Sequence, residues 1–394
     1  MPVVDCQVLV TLFNTTNGPG WADKTGWGVN PNPCMWSGIT CSDDDHGAVR
    51  VISLSSNQLS GPIPPSLGNM TNLGFLHLND NALTGSIPPS LGNLTSLKEL
   101  EITFNGLTGS IPATLGNLSQ LRLLWLSNNN LSGSIPAALA GAGGLEAIQL
   151  KGNALTGSIP AELGALSQLE YLDLSENALT GAIPASLASI SELELLKLND
   201  NQISGQFPAA LGALDQLRIL DIENNALIGP IPNLTWWPIL DRIHLHGNQF
   251  SGLLPLDVAV VAEAFVFGCT FVPGNPGLYM PDLPAYRAAD TNGDGTICDL
   301  PFASAEDIGE DAVDGIDDLV PGTLNAGQAN ALKTKIENAI EKANKGQFGA
   351  AINQMQSFLT QLSDMVSAGT LTPAQAAPLI DQANTLIAMW SAMV

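Results

Sequence analysis

The residues whose types suit binding of a ligand or a metal form two clusters. Both lie at equivalent positions of a sequence unit that repeats along the chain. The first cluster combines aromatic and acidic side chains in a chain that is only 5% aromatic. Its members are Phe75, His77, Glu99, Glu101, Phe104, Trp125, Tyr171 and Asp173. Aromatic anchors beside carboxylates suit a protein or peptide with basic and apolar side chains, or a sugar ring stacked on Trp125. The alternative interpretation is that these are surface residues without a binding role.

The second cluster has the composition of a metal site. His244 and His246 are two residues apart on a predicted strand, and Asp221 and Glu223 lie on the preceding strand. Adjacent strands are about 4.8 Å apart, so two imidazoles and two carboxylates could converge on a transition metal. A solvated group of ion pairs is the alternative.

A third group of residues matches a calcium loop. Oxygen donors occupy the first, third and fifth positions at Asp290, Asn292 and Asp294, and Thr296 offers a carbonyl at the seventh. The twelfth position is a proline, so Asp299 is the expected substitute for the usual glutamate. The ending D-G-x-x-C-D resembles the excalibur calcium-binding motif of bacterial extracellular proteins. We expect calcium with a structural role; the alternative is a metal-free turn.

A repeated unit must position the first two clusters. Copies begin at Ala48, Asn72, Ser96, Gln120, Gly144, Gln168, Glu192 and Gln216, with a looser ninth at Ile239. Their shared letters are L-x-x-L-x-L-x-x-N-x-L-x-G-x-I-P-x-x-L-G. A unit this small buries its leucines only against its neighbours, which predicts a solenoid. Leu-x-Leu predicts a short parallel strand, and the asparagine amides can satisfy buried backbone groups.

The L-[ST]-G-x-I-P-x-x-L-G segment resembles the plant-type leucine-rich repeat of receptor kinases and polygalacturonase-inhibiting proteins. The resemblance implies an α/β solenoid, an arc with a parallel concave sheet and a second short strand in each copy. It also implies a disulfide between Cys34 and Cys41 in the N-terminal cap. Cys269 and Cys298 flank the far end and are expected to form a second disulfide. Cys6 is left over, either free or competing for a partner in the cap.

Five segments are predicted along the chain. Residues 1–47 form an N-terminal cap, 48–268 the repeats, and 269–302 a C-terminal cap with the calcium loop. Residues 303–322 are read as an acidic, mobile linker. Residues 323–394 carry three helical patterns, near 325–345, 348–367 and 373–393, and predict an all-α bundle. This part resembles three-helix modules that end many secreted bacterial surface proteins.

Composition excludes several classes of function. A formal charge of −24 argues against a nucleic-acid partner, and no apolar run is long enough to span a membrane. Two expected disulfides indicate an oxidising compartment, so the protein is predicted to be secreted or on the cell surface, with a signal peptide absent from this chain. No nucleophile, base and orienting group occur together in a known motif, so an enzyme is not expected.

These patterns predict an extracellular recognition protein whose concave face binds a protein or peptide, and the resemblances to bacterial extracellular and surface proteins imply a bacterial source. Carbohydrate binding by the same aromatic patch is the main alternative, and a metal-dependent hydrolase is a remote one. Ice binding is a further alternative, because hydroxyl side chains repeat at one site of the second-strand segment. These residues are Thr84, Thr108, Ser132, Thr156 and Thr180, beside Ser86, Ser110, Ser134 and Ser158.

Overall fold

A computed structural model describes most of the chain. The described residues are 3–42, 47–230, 237–253, 277–281, 296–297, 300–303, 305–317, 319 and 323–391. They form two compact units, Met1–Ala226 with Trp236–Leu245, and Leu227–Thr235 with His246–Val394.

The main sheet of the first unit has ten strands, one from the N-terminal cap and one from each of the nine repeats. The strands are β1 (Ile39–Cys41), β2 (Val49–Ser53), β4 (Phe75–His77), β6 (Glu99–Glu101), β8 (Leu123–Trp125), β10 (Ala147–Gln149), β12 (Tyr171–Asp173), β14 (Leu195–Lys197), β16 (Ile219–Asp221) and β18 (Arg242–His244). β1 is antiparallel to β2, and the other neighbours are parallel. Equivalent residues of successive repeats lie directly opposite one another, as Leu124 does to Ile148.

A second set of parallel strands lies later in each repeat. In the first unit these are β3 (Ser60–Pro62), β5 (Ala82–Ser86), β7 (Gly106–Gly109), β9 (Asn130–Gly133), β11 (Ala154–Gly157), β13 (Ala178–Gly181) and β15 (Gln202–Gln206). Here the pairing is staggered, so that Ser86 lies opposite Thr108 rather than opposite its own equivalent.

The backbone geometry of the repeat requires glycine at several positions. Gly109 and Gly157 have φ values of 76° and 77°. This left-handed conformation is strained for a residue that has a side chain. A Cβ on Gly116 would lie 1.9 Å from the carbonyl oxygen of Ala138 in the next repeat. Gly116 belongs to one of the 3-10 turns that follow the second strands, at Pro65–Asn69, Pro89–Asn93, Ala113–Asn117, Ala137–Gly141, Ala161–Ala165, Ala185–Ser189 and Ala209–Ala213.

The core of the first unit is a stack of aliphatic side chains. In the copy that begins at Gln120, the side chains predicted to need their neighbours are all at most 2% exposed, namely Leu121, Leu124, Leu126, Leu131, Ile135 and Leu139. Burying one such side chain contributes about 1.5–3 kcal/mol, so the stack is the main source of stability. The predicted solenoid is confirmed.

The asparagine ladder joins each repeat to the one before it. Asn129 is 7% exposed, and its Oδ1 accepts the backbone N–H of Leu107 at 3.1 Å. Its Nδ2 donates to the carbonyls of Ile102 and Leu126, at 2.8 and 3.1 Å. The same pattern recurs at Asn81, Asn105, Asn153, Asn177, Asn201 and Asn225. The predicted structural role of these amides is confirmed.

An N-terminal cap covers the first repeat. It contains helix α1 (Val3–Thr15) and 3-10 turns at Gly18–Gly20 and Pro33–Met35. Trp21, Trp27 and Trp36 are 3%, 4% and 5% exposed, and each indole N–H donates to a backbone carbonyl. Cys34 and Cys41 form the expected disulfide, and Cys6 has no disulfide partner among the described residues.

The second unit contains short strands followed by helices. β17 (Ala226–Gly229), β19 (Gln249–Leu253), β20 (Gly277–Pro281) and β22 (Leu300–Ala303) pair in parallel in that order. β21 (Thr296–Ile297) is antiparallel to β22. The helices are α2 (Ala305–Asp317), α3 (Ala326–Asn344), α4 (Phe348–Ser367) and α5 (Pro373–Ser391).

The prediction of a mobile linker before a three-helix module is wrong. Residues 305–317 form α2, which packs against α3 and α5. Ile308, Ala312 and Ile316 recur every four residues, and each is at most 1% exposed. This spacing places them on one face of a helix, and Glu310 and Asp314 between them are exposed. The described part of this module therefore has four helices, and the other three lie where the sequence predicted them.

None of the described helices combines the length and the apolar character needed to cross a bilayer.

We predict that Asn129→Ala lowers the free energy of unfolding by about 2–4 kcal/mol. The substitution removes the hydrogen bonds to the Leu107 N–H and the Ile102 carbonyl of the preceding repeat, at about 1–3 kcal/mol for each group. The Leu126 carbonyl keeps a hydrogen bond from Asn153. The urea midpoint of the full chain measures the effect. Asn117→Ala, at an exposed asparagine of a 3-10 turn, is the matched control. Equal shifts in the two variants would contradict a structural role for the ladder.

Candidate functional site

The main sheet presents rows of variable side chains on the face opposite the leucine core. Within each three-residue strand the middle side chain points inward, as Leu76, Leu100 and Leu124 do at 0% exposure. The residues on either side of it point outward, because side chains alternate along a strand. We call these outward residues of β2 to β18 the open face. Since equivalent residues lie directly opposite one another, each outward position becomes a straight row across the sheet.

The first predicted cluster begins at His77, Glu99 and Glu101. His77 Nε2 lies 2.9 Å from Glu99 Oε2 and 4.0 Å from Glu101 Oε1. Asn79 Nδ2 donates to Glu101 Oε2 at 2.8 Å, and Asn79 Oδ1 accepts from the backbone and hydroxyl of Thr103. The carboxylates are therefore held in place before any ligand arrives.

Trp125 continues the row that contains His77 and Glu101. The backbone positions pair His77 with Glu101, Glu101 with Trp125, and Trp125 with Gln149. The Trp125 side chain is half-buried. Its indole N–H is buried and has no hydrogen-bond partner among the described residues. An aromatic surface thus lies directly beside a fixed carboxylate.

Tyr171 forms a second aromatic position, separate from Trp125. The two residues lie in adjacent rows with β10 between their strands, which places the strands about 10 Å apart. Tyr171 is 38% exposed, and its hydroxyl lies 3.4 Å from Glu194 Oε2. The negative charge of Glu194, together with desolvation, raises the pKa of Tyr171 above its ordinary value.

The other three members of the cluster have local roles. The ring of Phe75 lies edge-to-face with that of His77, with 6.2 Å between the ring centroids. Asp173 Oδ1 accepts hydrogen bonds from the backbone and hydroxyl of Ser175. Phe104 follows β6 with a left-handed φ of 52° and is 60% exposed. The structure thus places all eight predicted residues outside the core, but in two groups centred on Trp125 and Tyr171.

The sequence analysis missed a row of charged residues just before the strands. They recur at the repeat interval, which is the signal that could have revealed them: Lys98, Arg122, Glu146, Glu170, Glu194, Arg218 and Asp241. Arg122 makes a two-pronged ion pair with Glu146, at 2.6 and 2.7 Å, and Arg218 Nε donates to Asp241 at 2.8 Å. These pairs border the open face beside the aromatic positions.

The second predicted cluster is brought together in part. Donor atoms of Asp221, Glu223 and His244 lie within 4.8 Å of one another, and His246 is not a member of this group. Leu245, between the two histidines, is fully buried, so the alternation of side chains continues to His246, although His246 is not part of the group.

Several predicted residues lie outside the described part of the chain. These are the calcium ligands Asp290, Asn292, Asp294 and Asp299, and the cysteines Cys269 and Cys298. Thr296 is described only as part of β21. Calcium binding and the second disulfide therefore stay predictions.

Comparison with protein families agrees with this architecture. Residues 48–70 and 72–94 match the family described as Leucine Rich Repeat, and residues 95–155 and 167–227 match a Leucine rich repeat description. Residues 321–388, which include α3, α4 and most of α5, match the FIMAH domain.

Curated relatives are plant receptor-like kinases that share short stretches with this chain. LRR receptor-like serine/threonine-protein kinase RGI2 of Arabidopsis thaliana is 35% identical over 70 residues, which are 18% of this chain and 6% of that protein. LRR receptor-like serine/threonine-protein kinase FEI 2 of the same plant is 46% identical over 49 residues, 12% and 8% of the two chains. The chain therefore spans only a small part of these relatives.

Solved structures with the same repeat fold include two plant receptors. The GASSHO1/SCHENGEN3 ectodomain of Arabidopsis thaliana, in complex with CASPARIAN STRIP INTEGRITY FACTOR 2, is 37% identical with a TM-score of 0.61, over 65% of this chain and 31% of that one. The plant peptide hormone receptor RGFR1, in complex with RGF2, is 34% identical with a TM-score of 0.53, over 54% and 34%. A plant ice-binding protein, 24% identical with a TM-score of 0.57 over 76% and 97% of the chains, shares the fold. The repeats form a leucine-rich repeat solenoid, similar to plant receptor ectodomains.

We predict that Glu194→Gln lowers the pKa of Tyr171 toward its ordinary value. Removing the negative charge makes the phenolate less unfavourable. Absorbance of tyrosinate during an alkaline titration measures the shift, and Tyr171→Phe identifies the signal among the three tyrosines of the chain. Glu162→Gln, at an exposed glutamate of a 3-10 turn, is the control and should leave the titration unchanged. An unchanged pKa in Glu194→Gln would contradict the described contact.

Proposed function

We propose that this protein is an extracellular or cell-surface recognition module that binds a protein or peptide on the open face. The observation that carries the proposal is the row of His77, Glu101 and Trp125 on three directly paired strands. A half-buried indole beside anchored carboxylates offers both an apolar contact and a negative charge. Such a surface fits a ligand segment that carries a basic side chain next to an apolar one.

The comparisons support this proposal at the level of the ligand class. The two plant receptors with a similar repeat fold are each described in complex with a named partner, RGF2 or CASPARIAN STRIP INTEGRITY FACTOR 2. RGFR1 is described as a peptide hormone receptor. We infer that the present chain also binds through its repeats and carries out no catalysis. Binding of a carbohydrate to Trp125 is the alternative for the same face.

The negative charge of the open face and of the whole chain further narrows the class of ligand. Glu99, Glu101 and Asp173 lie on the open face, and the chain as a whole carries a formal charge of −24. Association with a basic ligand is favoured by this field and weakens as salt screens it. A basic peptide therefore fits the face better than an acidic one.

A second candidate function, ice binding, is favoured by the exposure of the hydroxyl ladder. Thr84, Thr108, Ser132, Thr156 and Thr180 are all exposed on the second set of strands. The staggered pairing places Ser86 opposite Thr108 on one side, whereas Asn130 lies opposite Thr108 on the other. The ladder lies on different strands from Trp125, so the two proposals are tested separately.

Selection against a displayed random-peptide library tests the first proposal. We expect the wild-type chain to enrich basic peptides, and Trp125→Ala to weaken the best of them by about 30-fold, the effect of losing a central aromatic anchor. Val29→Ala, at a side chain of the cap that is 88% exposed, is the control and should bind as wild type does. Equal affinity in Trp125→Ala and wild type would refute the site. Loss of glycan-array binding in Trp125→Ala, with no peptide enriched, would support the carbohydrate alternative instead.

Thermal hysteresis of the full chain tests the second candidate. If the ladder binds ice, Thr108→Leu with Thr156→Leu should abolish the hysteresis, because bulky apolar side chains disrupt the hydroxyl array. Thr95→Leu, at an exposed threonine between the two sets of strands, should retain it. A wild-type chain that produces no hysteresis excludes this function.

A further inference from the structure

A compact group of three potential metal ligands lies at the far end of the main sheet. Asp221 is the last residue of β16, Glu223 lies two residues beyond it, and His244 is paired directly with Asp221 on β18. His244 Nδ1 lies 3.4 Å from Asp221 Oδ2 and 3.6 Å from Glu223 Oε2. One nitrogen and two carboxylate oxygens therefore lie within 4.8 Å of one another.

The separations between these atoms suit a tetrahedral ion. Zinc–nitrogen and zinc–oxygen distances are about 2.0–2.2 Å, and the edges of such a tetrahedron are about 3.3–3.6 Å long. The separations of 3.4 and 3.6 Å match those edges. They are also longer than the usual nitrogen–oxygen hydrogen bond, which is about 2.7–3.2 Å.

The group around His77 offers an internal comparison. It also consists of one histidine and two carboxylates, Glu99 and Glu101. There, however, His77 Nε2 lies 2.9 Å from Glu99, a direct hydrogen bond, and 4.0 Å from Glu101. His77 Nε2 lies much closer to one carboxylate than to the other, whereas His244 Nδ1 lies at similar distances from two. The two groups therefore differ in geometry although their compositions are alike.

Burial of Asp221 is the independent observation that points to a ligand. Asp221 is only 8% exposed, and its Oδ1 is buried and accepts no hydrogen bond from a described residue. A buried carboxylate oxygen without a partner is costly, because it has given up hydration with no replacement. A bound dication would compensate the charge of Asp221 and of the neighbouring Glu223.

We propose that Asp221, Glu223 and His244 bind a zinc ion. Imidazole together with carboxylates favours zinc over calcium or magnesium, which prefer oxygen ligands alone and more of them. Three protein ligands leave the fourth tetrahedral position to water or to a donor from a bound partner. His244 is 34% exposed, so this position is accessible from the open face.

The zinc site is distinct from the proposed peptide site. Four strand spacings separate β8, which carries Trp125, from β16, a distance of about 19 Å. A ligand that spans the open face would meet the aromatic row at one end and the metal at the other. Zinc binding itself requires no peptide and can be measured without one.

Calorimetric titration of the metal-stripped full chain with zinc chloride tests the inference. Millimolar calcium in all samples saturates the predicted calcium loop, and a Cys6→Ser background removes the thiol of Cys6 as a competing ligand. We expect one zinc per chain, and an affinity more than about tenfold weaker in His244→Ala and in Asp221→Asn. His77→Ala is the matched control, since it removes the histidine of the other group, and should bind zinc as the background chain does.

Cobalt substitution and folding controls make the result decisive. Cobalt bound by the background chain should give the strong visible absorption of a tetrahedral complex, and His244→Ala should lose it. Circular dichroism establishes that each variant is folded, and the isosteric Asp221→Asn carries the test if His244→Ala does not fold. The proposal is overturned if the background chain takes up no zinc, or if His77→Ala weakens binding as much as His244→Ala does.

Discussion

Each repeat of this protein depends on an asparagine supplied by the next one. The Asn129 side chain accepts the backbone N–H of Leu107, one repeat earlier, and donates to carbonyls of Ile102 and Leu126. Because one amide contacts the backbone of two repeats, it sets the distance between them and their alignment. The leucines beneath it can then stack with almost no exposure. Burial of apolar side chains supplies most of the free energy of folding, and the amides determine the register in which the repeats stack.

This register has a direct consequence for recognition. Equivalent residues of the main sheet lie opposite one another, so a substitution in one repeat changes one place in a fixed row. Solenoids of this kind can vary their outward residues with little cost to the core. In this chain the variation concentrates aromatic and acidic groups around Trp125 and carboxylates with an imidazole around Asp221. The borders of the same face carry ion pairs such as Arg122 with Glu146.

The helical module follows a different principle. Its helices bury one apolar face each, and Ile308, Ile336, Phe358 and Leu386 belong to a single core. α3 begins with a capping box between Asn325 and Gln328, which satisfies backbone groups at its first turn. Gly309 allows α2 to approach α3 closely, since a Cβ at this position would lie 2.1 Å from Ile340 Cδ1. The acidic segment before the module is therefore part of its structure.

The amino-acid sequence alone determined the solenoid, because regularly spaced leucines, asparagines and glycines each have a local physical reason to recur. It also predicted which residues lie on the open face, since alternation along a strand requires no knowledge of distant contacts. The repeat interval also placed one copy between Trp125 and Tyr171, and β10 of that copy lies between their strands. The prediction from the sequence failed at α2, because the acidic composition of this segment was given more weight than the four-residue spacing of Ile308, Ala312 and Ile316. Only the tertiary structure distinguished the 2.9 Å contact between His77 and Glu99 from the 3.4 Å separation between His244 and Asp221. Differences of half an ångström between side chains depend on packing and not on residue type.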